Sequence, residues 1–278
     1  MTYINTGSIT AIGIIFSVLA IISFAIRASG WRRYPRNLEI DDILIIPAAL
    51  LTIAAGVAMV IGAQLHILGN HSVPAITRTE QDQLGKLEYA FWMGHVIDVG
   101  LIKLALLFLF RRIFKGTAYR TTFDYANWTL IILVSLWTIV FFIFEIFACD
   151  RNADASWSTL YSLRHICMDT FAMQTGFAVF CWAMDMAILI EPICMVIPLR
   201  MCFREKLQVC LVFCCSIFAV IAGFLRMIVW IQIEVQDTTP QYIKILATIL
   251  PTVDQEGIVS IILFWTYIEM GVGFQADD

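Results

Sequence analysis

Seven runs of predominantly apolar residues divide the 278-residue chain, at about 8–28, 42–64, 88–110, 127–148, 171–199, 207–231 and 257–274. A helix rises about 1.5 Å per residue, so crossing a hydrocarbon layer about 30 Å thick takes about 20 residues. The runs meet or approach that length, the last being the shortest. No water in the hydrocarbon can satisfy exposed backbone, which leaves helices and closed barrels as the spanning structures; runs this long are helices. Any one of them could be a buried helix of a water-soluble protein. Together they leave almost no chain for a soluble part. Hydrophobic residues make up 60% of the chain and charged residues 14%, outside the range of soluble domains. The expected fold is all-α, a polytopic seven-transmembrane-helix bundle forming a single membrane domain over residues 1–278.

Basic residues set the expected orientation. The segments after runs one, three and five carry eleven (Arg27, Arg32, Arg33, Arg36; Arg111, Arg112, Lys115, Arg120; Arg200, Arg204, Lys206). The opposite side carries five: Arg78, Lys86, Arg151, Arg164 and Lys244. This predicts an outside N-terminus and a cytosolic C-terminus. The first run lacks a basic segment before it and is long for a signal peptide, so it is expected to stay as a helix. On the outer side Asn70-His-Ser72 matches a glycosylation acceptor. Cys149 and Cys167 share one outer loop and are expected to form a disulfide that pins the outer ends of helices four and five. The remaining cysteines fall in apolar runs or on the cytosolic side, where thiols stay reduced.

Ionisable residues inside apolar runs are costly and are functional candidates by default. Here they are His95, Asp98 and Lys103 in the third run, Glu145 in the fourth, Asp185 and Glu191 in the fifth, Arg226 in the sixth and Glu269 in the seventh. Counting from the basic anchors puts Lys103, Glu191 and Glu269 about 12–14 Å from the cytosolic edge, Asp98 and Asp185 at about 20–22 Å, and Arg226 and Glu145 at about 26–30 Å. Asp98 and Lys103, five residues apart on one helix, point about 140° apart and cannot pair. Lys103 is therefore expected to pair with Glu191 or Glu269, and His95, Asp98 and Asp185 to line a central polar cavity. The alternative is purely structural pairing that fixes helix packing. Ala48, Thr52 and Gly56 form a small-residue stripe suited to close helix contact.

Motifs of hydrolases, nucleotide-binding loops and zinc proteases are absent, so no catalytic residue is assigned and the chain is not expected to be an enzyme. His66 and His71 have no diagnostic metal spacing; no metal, cofactor or nucleic-acid partner is expected.

Several motifs in order resemble the fungal rhodopsin-domain integral membrane proteins, over about residues 10–270. They are Arg36-Asn-Leu-Glu-Ile-Asp-Asp42, Leu68-Gly-Asn-His71, Lys103 ahead of Leu107-Phe-Leu-Phe-Arg-Arg-Ile-Phe114, Cys149 with Trp157 and Cys167, Asp185 ahead of Pro192, Arg204-Glu-Lys206, Phe213, Arg226, Asp237 and Trp265-Thr-Tyr-Ile-Glu269. The resemblance implies a seven-helix receptor-like protein of the fungal type, some of whose relatives belong to secondary-metabolite clusters. It implies the lipid bilayer, an unidentified small-molecule ligand and a heterotrimeric G protein as candidate partners, and the plasma membrane as location. Cys194 and Ile197 depart from the pattern, and the stretch 237–265 is longer than usual. The resemblance also implies a cytosolic tail, whereas this sequence ends at Asp278. Retinal would require a lysine in the last helix, and 257–274 has none. The competing expectations are a small-molecule or proton-linked carrier and a truncated family member without signalling activity.

Overall fold

The computed structural model describes residues 5–33, 39–65, 68, 78–113, 120–149, 170–196, 216–231 and 255–277. All regular structure among them is helical: α1 (Thr6–Arg33), α2 (Ile40–Gln64), α3 (Arg78–Ile113), α4 (Arg120–Phe147), α5 (Thr170–Val196), α6 (Ser216–Ile231) and α7 (Gln255–Asp277). Five of these helices, α1 to α5, are long and apolar enough to cross a membrane; α6, as described, is shorter. The protein is thus a multi-pass helical membrane bundle. Its polarity is inverted relative to a soluble domain. Ile14, Ile15, Ile21 and Ile22 of α1 and Ile132, Leu136, Ile139 and Phe147 of α4 lie on the outside, where lipid is the solvent. His95, Asp98, Lys103, Arg226 and Glu269 lie inside.

Helix ends outlast the apolar runs. α3 is 36 residues long and starts at Arg78, whereas the apolar pattern begins near Glu88. Its span proper begins at Gly85, so the first turns continue the helix beyond the apolar segment. The start of α2 is fixed locally. Glu39 is extended (φ −89°, ψ 169°), the Ile43 N–H donates to its carbonyl at 3.2 Å, and Asp42 accepts from the Glu39 N–H at 3.3 Å. At the far end, Leu65 N–H donates to Ile61 O at 3.0 Å and Leu68 N–H donates to Gly62 O at 3.1 Å, using carbonyls a helix terminus leaves free. A Cβ on Gly62 would come within 2.7 Å of a Leu68 methyl and 2.9 Å of a Leu87 methyl, so a larger residue there would make both leucine side chains shift. Pro47 sits inside α2, a position tolerated where neighbouring helices re-satisfy the backbone.

α3 and α7 form the centre. α3 packs on α2, α4, α5 and α7, and α7 packs on α1, α2 and α3. Only 17% of the most apolar stretch of α1 is buried, against 61% for α3. α7 is enclosed along Ser260–Met270, where every residue except Trp265 and Ile268 is buried. A helix surrounded by protein needs less apolar surface than one facing lipid, and α7 accordingly carries Ser260, Thr266 and Glu269. The stripe Ala48, Thr52 and Gly56 is buried on α2. A Cβ on Gly13 would come within 3.2 Å of the Gly56 carbonyl, so α1 and α2 approach backbone to backbone there. The Tyr267 hydroxyl fills the same junction, 3.0 Å from Ser17 Oγ and 3.4 Å from the Thr52 carbonyl.

Candidate functional site

Four helices bring six polar side chains into one buried cluster. Cys181 and Asp185 are four apart on α5 and so share a face. Lys103 of α3 donates to the Asp185 carboxylate and to the Cys181 carbonyl at 3.3 Å. The Cys181 thiol donates to Glu269 Oε1 of α7 at 3.2 Å. Glu269 Oε2 lies 2.9 Å from Arg226 Nε of α6, and Arg226 Nη1 contacts His95 Nε2 of α3. Lys103 is 4% exposed and Arg226 1%. Two cations thus face two carboxylates, with a histidine and a thiol completing the set. α6 meets the cluster at Gly223: a Cβ there would be in ordinary van der Waals contact, 3.7 Å from both Asp185 Oδ2 and Glu269 Oε1.

Aromatic rings wall the histidine end. His95 stands edge-on to Trp92 and to Phe177, each at 5.5 Å between centroids. The Arg226 guanidinium lies 5.5 Å from the Phe177 ring centre, and Trp137 stacks on Phe177 at 4.7 Å. Trp92 also meets Trp230 at 5.5 Å. The low-dielectric wall strengthens the ionic contacts and raises the cost of any polar atom left unpaired. Five buried atoms of the cluster have no hydrogen-bond partner among the described residues: Arg226 Nε and Glu269 Oε2, which face each other as an ion pair, and His95 Nδ1, Asp185 Oδ2 and Arg226 Nη2, which have neither kind of partner.

The partners differ from those expected by counting depth. Lys103 pairs with Asp185, not with Glu191 or Glu269, and Arg226 pairs with Glu269 rather than sharing an outer layer with Glu145. Counting treats helices as straight and side chains as points. Lysine and arginine reach several ångströms, and side chains lean toward their own helix N-terminus. His95 and Asp185 belong to one cluster, but Asp98 does not join them. It faces α2, where Thr52 Oγ1 donates to its Oδ2 at 2.9 Å. Asp98 and Lys103 do point to different helices. Glu145 of α4 accepts from Gln174 Nε2 of α5 at 3.0 Å. Glu191 is buried at 8% exposure, beside Asn127, whose Nδ2 donates to the Leu107 carbonyl at 3.2 Å. Asn70, His66, His71 and Cys167 lie outside the described residues; Cys149 is buried just past the end of α4.

A second ionic cluster, not anticipated from sequence, joins the end of α1, the start of α2 and the end of α3. Arg27 bonds Asp41 at 2.9 Å and Asp42 at 3.1 Å. Arg112 reaches Asp41 at 3.0 Å and Glu39 at 3.5 Å. A signal was present: Glu39, Asp41 and Asp42 concentrate acid within the basic side of the chain.

Cys181, Asp185 and Glu269 each offer a ligand atom, all within 4.8 Å of one another. The two carboxylates already face Lys103 and Arg226, so a divalent cation there would displace both bases.

The helical bundle, with its buried ionisable cluster, is that of a polytopic membrane protein. The fungal rhodopsin domain profile matches residues 26–276, and the chain belongs to that family. A stretch of 62 residues is 36% identical to Phomoidride biosynthesis cluster protein H of a fungal species (strain ATCC 74256), covering 22% of each chain. The chain thus matches about a fifth of that relative's length. No solved structure matches.

Proposed function

We propose that the chain is a receptor-like sensor of a small extracellular molecule, with the α3–α5–α6–α7 cluster as the element that the ligand engages. The supporting observation is the mismatch inside the cluster. Charges are balanced, yet His95 Nδ1, Asp185 Oδ2 and Arg226 Nη2 remain unpaired. Ion pairs kept only for packing need their remaining lone pairs and protons satisfied. A cluster with spare donors and acceptors behind aromatic walls has capacity for a polar ligand or ordered water. No catalytic step is assigned. The likeness to a protein named for a biosynthesis cluster supports a place beside a secondary-metabolite pathway, and a heterotrimeric G protein is the partner class for signalling. The test is thermal unfolding of the chain in lipid nanodiscs against small-molecule fractions of fungal cultures. Stabilisation that Asp185→Asn abolishes is expected; equal stabilisation of the variant would remove the cluster from the reading. Ligand-dependent nucleotide exchange on a G protein then tests signalling.

The same proposal places the N-terminus outside, the C-terminus in the cytosol and the protein in the plasma membrane, on the excess of basic residues after helices one, three and five. A disulfide between Cys149 and Cys167 and a glycan on Asn70 go with that orientation. Non-reducing peptide mapping and a glycosidase mobility shift lost in Asn70→Gln test them together.

The competing function is a proton-linked carrier. It is favoured by Asp98, Glu145 and Glu191, buried carboxyls with no lysine or arginine paired to them among the described residues. Proton-dependent uptake into vesicles, lost in Asp98→Asn, would select it.

A further inference from the structure

Asp98 stands outside the charge cluster and has a different environment. It is 0% exposed, in the middle of α3. Its Oδ2 accepts from Thr52, and its Oδ1 is buried with no partner among the described residues. Neither buried cation of the cluster pairs with it. On its own helix, Lys103 is bonded to Asp185 and His95 to Arg226. α6 presents Arg226, paired with Glu269. α2 presents the neutral Thr52. α7 presents Tyr267, whose hydroxyl is taken up by Ser17 and the carbonyls of Gly13 and Thr52. On the α4 side, Thr138 crowds Gly100 and its hydroxyl donates to the Val134 carbonyl at 2.9 Å.

An ionised carboxylate there would be an isolated charge in a medium that cannot solvate it, and such groups neutralise instead. One hydroxyl donor does not compensate a full charge. We infer that Asp98 is a proton-binding site: the resting bundle holds a proton on its carboxyl, with Thr52 as the fixed donor to the other oxygen. The proton is a ligand of the α2–α3–α7 junction, distinct from anything the four-charge cluster binds. The inference does not rest on the sensor reading.

Infrared spectroscopy of the full chain in sodium-free nanodiscs at neutral pH tests it. The wild-type minus Asp98→Asn difference is expected to show one protonated-carboxyl stretch that shifts in heavy water. In Thr52→Val the same band is expected at higher frequency, because a hydrogen bond to the carboxyl is lost; this variant reads the site even if Asp98→Asn misfolds. A difference spectrum showing only ionised-carboxylate bands overturns the inference. So does a protonated band that sodium, but not choline, converts to carboxylate, since the junction would then take a monovalent metal cation in preference to the proton.

Discussion

The two ionic clusters use similar residues and differ in what they leave over. At the helix ends, the acids are the buried partners: Asp41 and Asp42 are 2% and 0% exposed, while Arg27 and Arg112 retain 14% and 23%. Each arginine touches more than one acid, and none of the five side chains has a buried unmatched atom among the described residues. In the bundle interior, the bases themselves are buried, the two ion pairs match one base to one acid, and polar atoms go unmatched. The first arrangement is redundant, and its arginines keep access to water. The second matches each base to a single acid, and its bases are buried. Redundancy marks a fastener for α1, α2 and α3; the interior cluster instead keeps hydrogen-bonding capacity left over, which is what the proposed ligand would use.

The sharpest way to break this contrast is Lys103→Met. Removing one member of a buried pair leaves an uncompensated charge, and a loss of about 3–5 kcal/mol is expected by denaturant unfolding in detergent. Adding Asp185→Leu should recover most of it; no recovery would mean the pair is not coupled. Arg226→Lys keeps the charge but loses the fork that reaches both His95 and Glu269, for an expected loss of about 1–3 kcal/mol. Arg112→Ala should cost no more than about 1 kcal/mol, because Arg27 still holds Asp41 and the arginine is partly exposed. That loss should shrink in high salt, while the Lys103→Met loss should not. Glu39→Gln is the smallest expected change, within about 0.5 kcal/mol, since Glu39 meets Arg112 only at 3.5 Å and is 48% exposed. A larger effect at Glu39 than at Arg112 would reverse the ranking of the end cluster.

Apolar run length made the helical bundle legible because it measures a property of the solvent, the thickness of hydrocarbon. It located α1 to α5 but not their ends, since charged residues such as those from Arg78 to Lys86 extend a helix without adding hydropathy. Intramembrane charge likewise picked out Lys103, Asp185, Arg226 and Glu269, which do meet. Their pairing was not legible, because it depends on tilt, side-chain lean and which helix lies next to which. Cys181 gave no signal at all: a cysteine among apolar residues looks like a packer, and only the approach of Glu269 gives its thiol an acceptor.

The aromatic wall gives the molecule an optical property of its own. Trp92 of α3 and Trp230 of α6 have their rings 5.5 Å apart and inclined by 60°. Two indoles so close and so oriented couple their electronic transitions, and the coupling depends on both separation and angle. Trp92 is also a ring neighbour of His95. Circular dichroism of the unlabelled chain is expected to carry a band from this pair at the joint between α3 and α6, which Trp230→Phe should remove. Movement of one helix against the other rewrites that band, so this joint can be watched without attaching a reporter.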